Sequence, residues 1–127
     1  MDDRFKRHGA ASWVELSTTD AKAAIVFYSQ LFGWSTEEMP MQDGAYTVVK
    51  TGSDGIGGIM PLLPQMQGPP RWGIYITVDD VDATAAKAQQ LGATTIVPPT
   101  DIPDVGRFYT FQDPQGAVIS AITYSNM

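Results

Sequence analysis

At 127 residues, with 43% hydrophobic residues and no cysteine, the chain is the size of one domain that buries a core without disulfide staples. Cysteine-ligated zinc and thiolate chemistry are excluded. The net charge of −6 and pI near 4.4 make a surface that repels phosphate backbones and anionic lipid, so neither nucleic acid nor membrane is expected as a partner.

No apolar run reaches membrane-spanning length, and the charged opening from Met1 to Arg7 has no apolar stretch behind it. A secretory signal is therefore not expected, and a cytoplasmic location is. Residues 1–11 read as a flexible arm, and the lone histidine, His8, reads as one of its solvated residues. Residues 12–127 read as a single domain. Its first unit covers about 12–62, a proline- and glycine-bearing connector 63–71, and the second unit about 72–124.

Ser12 to Thr18 alternates as a strand does, with Val14 and Leu16 on one side and Trp13, Glu15 and Ser17 on the other. Thr19 or Asp20 can cap the helix that follows, because a short side-chain oxygen accepts the first unpaired amide hydrogens. Ala24, Phe27 or Tyr28, and Leu31 give that helix an apolar stripe, and Gly33 is placed to end it. Residues 34–38, 45–51 and 56–62 read as three short strands, separated by turns at 42–44 and 52–55. The run Gly55-Ile-Gly-Gly58 lacks the Lys-Ser/Thr of a phosphate loop, so it reads as a turn with close backbone approach.

The second half repeats this plan. Trp72 to Val78 alternates, with Ile74, Ile76 and Val78 opposite Gly73, Tyr75 and Thr77. Asp79 or Asp80 caps a helix carrying Val81, Ala85, Ala88 and Leu91, closed by Gly92. Residues 94–97, 107–112 and 117–124 read as strands, with Pro98-Pro99 and Asp113 to Gly116 as turns. Asp20 falls on Asp80 at an offset of sixty, and in that register both faces of the first strands match.

Such a repeat predicts an α+β fold of two tandem βαβββ units, forming a curled-sheet cup with helices outside and Trp13, Glu15, Tyr75 and Ser120 facing inward. Glu15 is a candidate general base or acceptor for a ligand hydroxyl or amine. Its structural alternative is pairing with an arginine such as Arg107. Tyr75 is a candidate donor to a ligand oxygen and an assistant in catalysis, against a half-buried packing role. Trp13, Trp72, Phe108 and Tyr109 are candidates to line the cup, against core or dimer-interface packing. Trp34 reads as core. Arg107 is a candidate anion binder, against a surface salt bridge.

Asp20, Phe27-Tyr28 and Leu31-Phe-Gly-Trp34 in the first half, Val78-Asp-Asp-Val-Asp-Ala83 and Leu91-Gly-Ala93 in the second, and Asp113-Pro-Gln-Gly-Ala117 near the end carry a resemblance. The chain resembles the vicinal oxygen chelate superfamily of glyoxalases, extradiol dioxygenases and bleomycin-resistance proteins, over roughly residues 12–124. Through Ile102-Pro-Asp-Val-Gly-Arg107 it is similar to a metal-poor subgroup often labelled hydroxylases. The resemblance implies a paired-unit fold and a homodimer. It also implies a divalent metal held by His or Glu at positions that here correspond to Trp13, Gly73, Ser120 and either Ile59 or Met60. None of these side chains is a competent ligand for a hard or borderline ion. The expectation is therefore no metal and no cofactor.

The resulting reading is metal-independent binding of a small, partly aromatic or apolar molecule in the cup. Its rivals are a lyase, isomerase or hydroxylase-type enzyme, metal-free through Glu15 or metal-dependent through other ligands, and a dimeric interaction module.

Overall fold

A computed structural model of the chain describes residues 3–41, 44–62, 64 and 68–125, so most of the connector lies outside the described residues. The described residues form eight strands and two α-helices: β1 (Ala11–Thr18), α1 (Ala21–Phe32), β2 (Ser35–Met41), β3 (Gly44–Thr51), β4 (Asp54–Pro61), β5 (Arg71–Thr77), α2 (Val81–Gln90), β6 (Thr94–Ile102), β7 (Gly106–Gln112) and β8 (Val118–Tyr124). The chain divides into two compact units, an N-terminal one of residues 13–73 and a C-terminal one of residues 74–127 joined by residues 1–12.

Both units follow the predicted βαβββ plan. In the N-terminal unit the strand order is β2-β3-β4-β1, with β1 parallel to β4 and the other pairs antiparallel. In the C-terminal unit it is β6-β7-β8-β5, with β5 parallel to β8. The helices start alike. Asp20 accepts from the Ala23 N–H and Asp80 from the Ala83 N–H, both at 3.1 Å. Of the residues proposed as caps, the two separated by sixty positions do the work. Gly33 ends α1 in the left-handed conformation, φ 74°, which a glycine adopts without steric cost.

Each helix covers one face of its own sheet. Leu16, Val49 and Ile59 form the core beneath Ala21, Ala24, Ile25 and Tyr28 of α1. Val78, Val81, Ala85, Tyr109 and Ala121 form the core beneath α2. Trp34 packs against the first core, as expected, and Tyr109, a candidate cup residue, is fully buried in the second.

Two expectations are corrected. Pro98-Pro99 is not a turn. β6 runs through it to Ile102 with register shifts on either side of Val97, and the turn lies at 103–105. A proline lacks the ladder N–H, and β6 is an edge strand, where that donor is not required. Residues 3–10 are also not a loose arm. Gly9 N–H donates to the Thr77 carbonyl at 2.7 Å and Thr77 N–H to that of Ala10 at 2.8 Å. Phe5 meets Tyr124 edge-on at 5.0 Å, and His8 Nδ1 accepts from the Asp79 N–H. The charged letters of the segment conceal a backbone that seats itself on the end of β5.

Candidate functional site

Because Leu16 points under α1, alternation along β1 sends Trp13 and Glu15 to the uncovered face of the N-terminal sheet. Glu15 pairs with Gly58 on β4, and Gly58 pairs with Val48 on β3. From β3, the Tyr46 ring reaches across β4 to β1. The Trp13 indole N–H donates to the Tyr46 hydroxyl at 2.8 Å, and that hydroxyl donates to Glu15 Oε2 at 2.8 Å. All three side chains are half-buried.

The reach depends on glycine. A Cβ at position 58 would stand 2.0 Å from the Tyr46 hydroxyl oxygen, and one at 55 would touch the Trp13 ring at 3.6 Å. The glycine run is thus part of β4, and the close approach expected of it is the passage of Tyr46 over Gly58. The arrangement orients a phenol. Its single proton is directed to a carboxylate and one lone pair is engaged by the indole, so this hydroxyl is a neutral donor to the carboxylate. Sequence reading missed Tyr46. Its alternation with Val48 and Lys50 was visible, but Tyr46 lies two strands from Glu15, and no local signal reports that register.

In the C-terminal unit, Tyr75, Phe108 and Ser120 share the face away from α2. Tyr75 pairs with Ser120 on β8, and its ring lies 6.3 Å from that of Phe108. Ser120 Oγ and Thr110 Oγ1 share a buried hydrogen bond of 2.7 Å.

Besides Tyr109, buried in the core under α2, the structure places two more predicted site residues elsewhere. Arg107 alternates to the helix side, opposite Phe108. There it makes two 3.0 Å hydrogen bonds to the Asp82 carboxylate on α2 and a third to Asp101 on β6. This is its surface salt-bridge reading, not a pairing with Glu15. The guanidinium lowers the Asp82 pKa chiefly through those hydrogen bonds, and its own pKa is raised in return. Trp72 also lies on the helix side. Its indole N–H donates to the Tyr28 hydroxyl at 3.3 Å, and its ring meets those of Tyr28 and Trp34 at 5.2 and 6.2 Å.

The metal implied by the resemblance can be tested against these positions. Ile59 is sealed in the core under α1, so alternation makes Met60 the open-face residue of β4. Trp13 offers an indole N–H with no lone pair, Met60 a thioether, Gly73 nothing and Ser120 a hydroxyl already shared with Thr110. That set does not fit a hard or borderline divalent ion. Among the described residues no group of three or more His, Asp or Glu side chains is placed to hold one.

Known proteins agree with this architecture. A 43% identical stretch of 116 residues, 90% of this chain, matches the Mycobacterium bovis protein named "Putative glyoxylase CFP32" over 44% of its length. The Streptomyces peucetius anthracycline biosynthesis protein DnrV is 29% identical over 88% of this chain and 46% of its own. The chain thus spans about half the length of the curated relatives it matches. Methylmalonyl-CoA epimerase from Mycobacterium tuberculosis superposes with a TM-score of 0.69 at 14% identity, over 94% of this chain and 91% of the other, a likeness of fold. The family model of the Glyoxalase/Bleomycin resistance protein/Dioxygenase superfamily matches residues 10–120. With that match over most of its length and the tandem βαβββ units, this chain belongs to the glyoxalase/bleomycin resistance protein/dioxygenase superfamily.

Proposed function

We propose that the chain binds a small, partly aromatic or apolar molecule without a metal ion, on the open face of its N-terminal unit. The observation that carries this reading is the Trp13–Tyr46–Glu15 hydrogen-bond chain standing where the family's first metal ligand would be. Trp13 supplies a flat apolar wall, and Glu15 an oriented acceptor that selects a hydroxyl or amine on the bound molecule. A relative named for anthracycline biosynthesis supports a planar aromatic ligand.

The test is a fluorescence titration with 1,4-dihydroxyanthraquinone as a flat, phenolic probe. The expected outcome is saturable tryptophan quenching, unchanged by EDTA and weakened about tenfold or more by Trp13→Leu. Binding that disappears with EDTA and returns with zinc or manganese overturns the reading. So does binding indifferent to Trp13→Leu and Glu15→Gln.

A second reading, metal-free acid–base catalysis, is favoured by one observation. Tyr46 donates to Glu15 Oε2 and so joins the carboxylate to a second proton-bearing group. Under that reading Glu15→Gln retains affinity for a molecule the protein turns over and abolishes its turnover. Under the first reading Glu15→Gln weakens affinity itself.

A further inference from the structure

A groove of about 510 Å³ runs beside α2 within the C-terminal unit. It is lined by Ala83, Lys87 and Ala88 of α2, by Ala93 just beyond the helix, by Phe111 of β7 and by Pro114 of the turn that follows. Ala88 and Phe111 pack against the core beneath α2, so this lining is held from below. The turn is held as well, because Asp113 Oδ1 accepts from the Gln115 and Ala117 N–H groups at 2.9 and 3.0 Å. The volume is that of a small-molecule site, and a site fixed before binding loses little entropy on being filled.

The N-terminal unit shows what the same place holds when side chains fill it. In the sixty-residue register Tyr28 falls on Ala88, and Trp34 falls on Ala93 once Gly33 is set on Gly92. The Tyr28 and Trp34 rings stack 6.1 Å apart with 28° between their planes, and Trp72 meets both edge-on. At the matching points the C-terminal unit has two methyl groups, and both line the groove. One scaffold thus carries a phenol and an indole in one unit and room for rings of that size in the other.

From this difference we infer that the groove beside α2 binds a small, flat aromatic amine, through residues that share none with the Trp13–Tyr46–Glu15 set. The exchange of two rings for two methyl groups sets the shape of the occupant, and Phe111 offers it a ring to stack on. Charge sets the rest. The groove carries the carboxylates of Asp79, Asp80 and Asp113 against the ammonium of Lys87. His8 also lines it, with Nδ1 accepting from the Asp79 N–H, so that nitrogen carries no proton. Asp113 belongs to the ring-sized end, in the same turn as Pro114. α2 finishes at that end, at Gln90, and a helix C-terminus favours a cation. An anionic ligand would meet three carboxylates and the negative end of the helix.

The test is an NMR titration of the isotope-labelled full chain with tryptamine, an indole that bears an ammonium. Saturable shifts of the Lys87, Ala88 and Ala93 amides are expected, with a Kd of about 1 mM or tighter for a ligand of this size. Ala88→Tyr combined with Ala93→Trp restores the rings of the first unit and should remove the binding. Asp113→Asn keeps the acceptor of the turn and removes its charge, so it should weaken binding about twofold to fivefold. Indolepropionate, the same ring with a carboxylate, should bind about fivefold more weakly or less. Shifts centred on Glu15 or Gly58 in place of these overturn the inference. So do shifts that persist in the double variant, indolepropionate binding as tightly as tryptamine, or no saturation up to about 10 mM. Should the double variant lose its far-UV circular dichroism, Asp113→Asn decides: weaker binding at Ala88 and Ala93 supports the site, and unchanged binding overturns it.

Discussion

Tyr46 serves two side chains of another strand with one hydroxyl. Tyr46→Phe therefore removes a donor from Glu15 and an acceptor from Trp13 together. The expected loss is about 1–3 kcal/mol, from leaving half-buried polar groups short of that partner, measured by urea unfolding. A change below a few tenths of a kcal/mol would mean that the hydroxyl is not seated between them. Gly58 and Gly73 make a paired test of the floor under this site. Alanine at 58 puts a Cβ on the Tyr46 ring, whereas alanine at 73 meets only the Glu15 carbonyl oxygen at 3.9 Å. Gly58→Ala should cost about 1–3 kcal/mol and Gly73→Ala little, with equal losses counting against the geometry. Tyr124 answers to pH. Burial raises its phenol pKa, against the opposing effects of the Ser12 hydrogen bond and Arg4. A raised pKa means that the fold prefers the neutral phenol. The stability it contributes is whole below about pH 10 and is lost as pH rises toward the folded value. Urea midpoints across that range should fall more steeply for the wild type than for Tyr124→Phe.

Among the elements, the helix starts were legible because capping is local. Asp20 and Asp80 each reach an N–H three residues ahead. Asp20→Ala and Asp80→Ala should each cost about 1 kcal/mol, read as a lower melting temperature. If Asp80→Ala alone were costly, the two helix starts would not be equivalent. Strand ends were less legible. The rule that prolines end strands failed at Pro98-Pro99 because it presumes a neighbour on both sides, and β6 has one only on the side of β7. The arm at 3–10 was misread because its attachment to Thr77 runs through backbone groups, which leave no mark in a residue pattern, and because the partners of Phe5 and His8 lie far along the chain, at Tyr124 and Asp79.

For the whole molecule, acidity is the property most open to a direct check. At −6 the chain should pass through a heparin column at about 0.1 M salt, and retention would reveal a basic patch. No helix among the described residues is long and apolar enough to cross a membrane. The tandem plan, the two faces of the first strand of each unit and, at the positions that the family resemblance implies, the poor metal-donor chemistry of Trp13, Gly73 and Ser120 followed from the sequence. Each rests on periodicity, on short-range caps or on what a side chain is made of, and none of these needs a fold to be known. Only the tertiary structure brought Tyr46 to Glu15, chose Met60 over Ile59 for the open face, and turned Arg107 and Trp72 to the helix side. Those outcomes depend on strand register and on which neighbour each strand takes. Backbone hydrogen bonds between distant segments set both, and they are the same whatever side chains the strands carry.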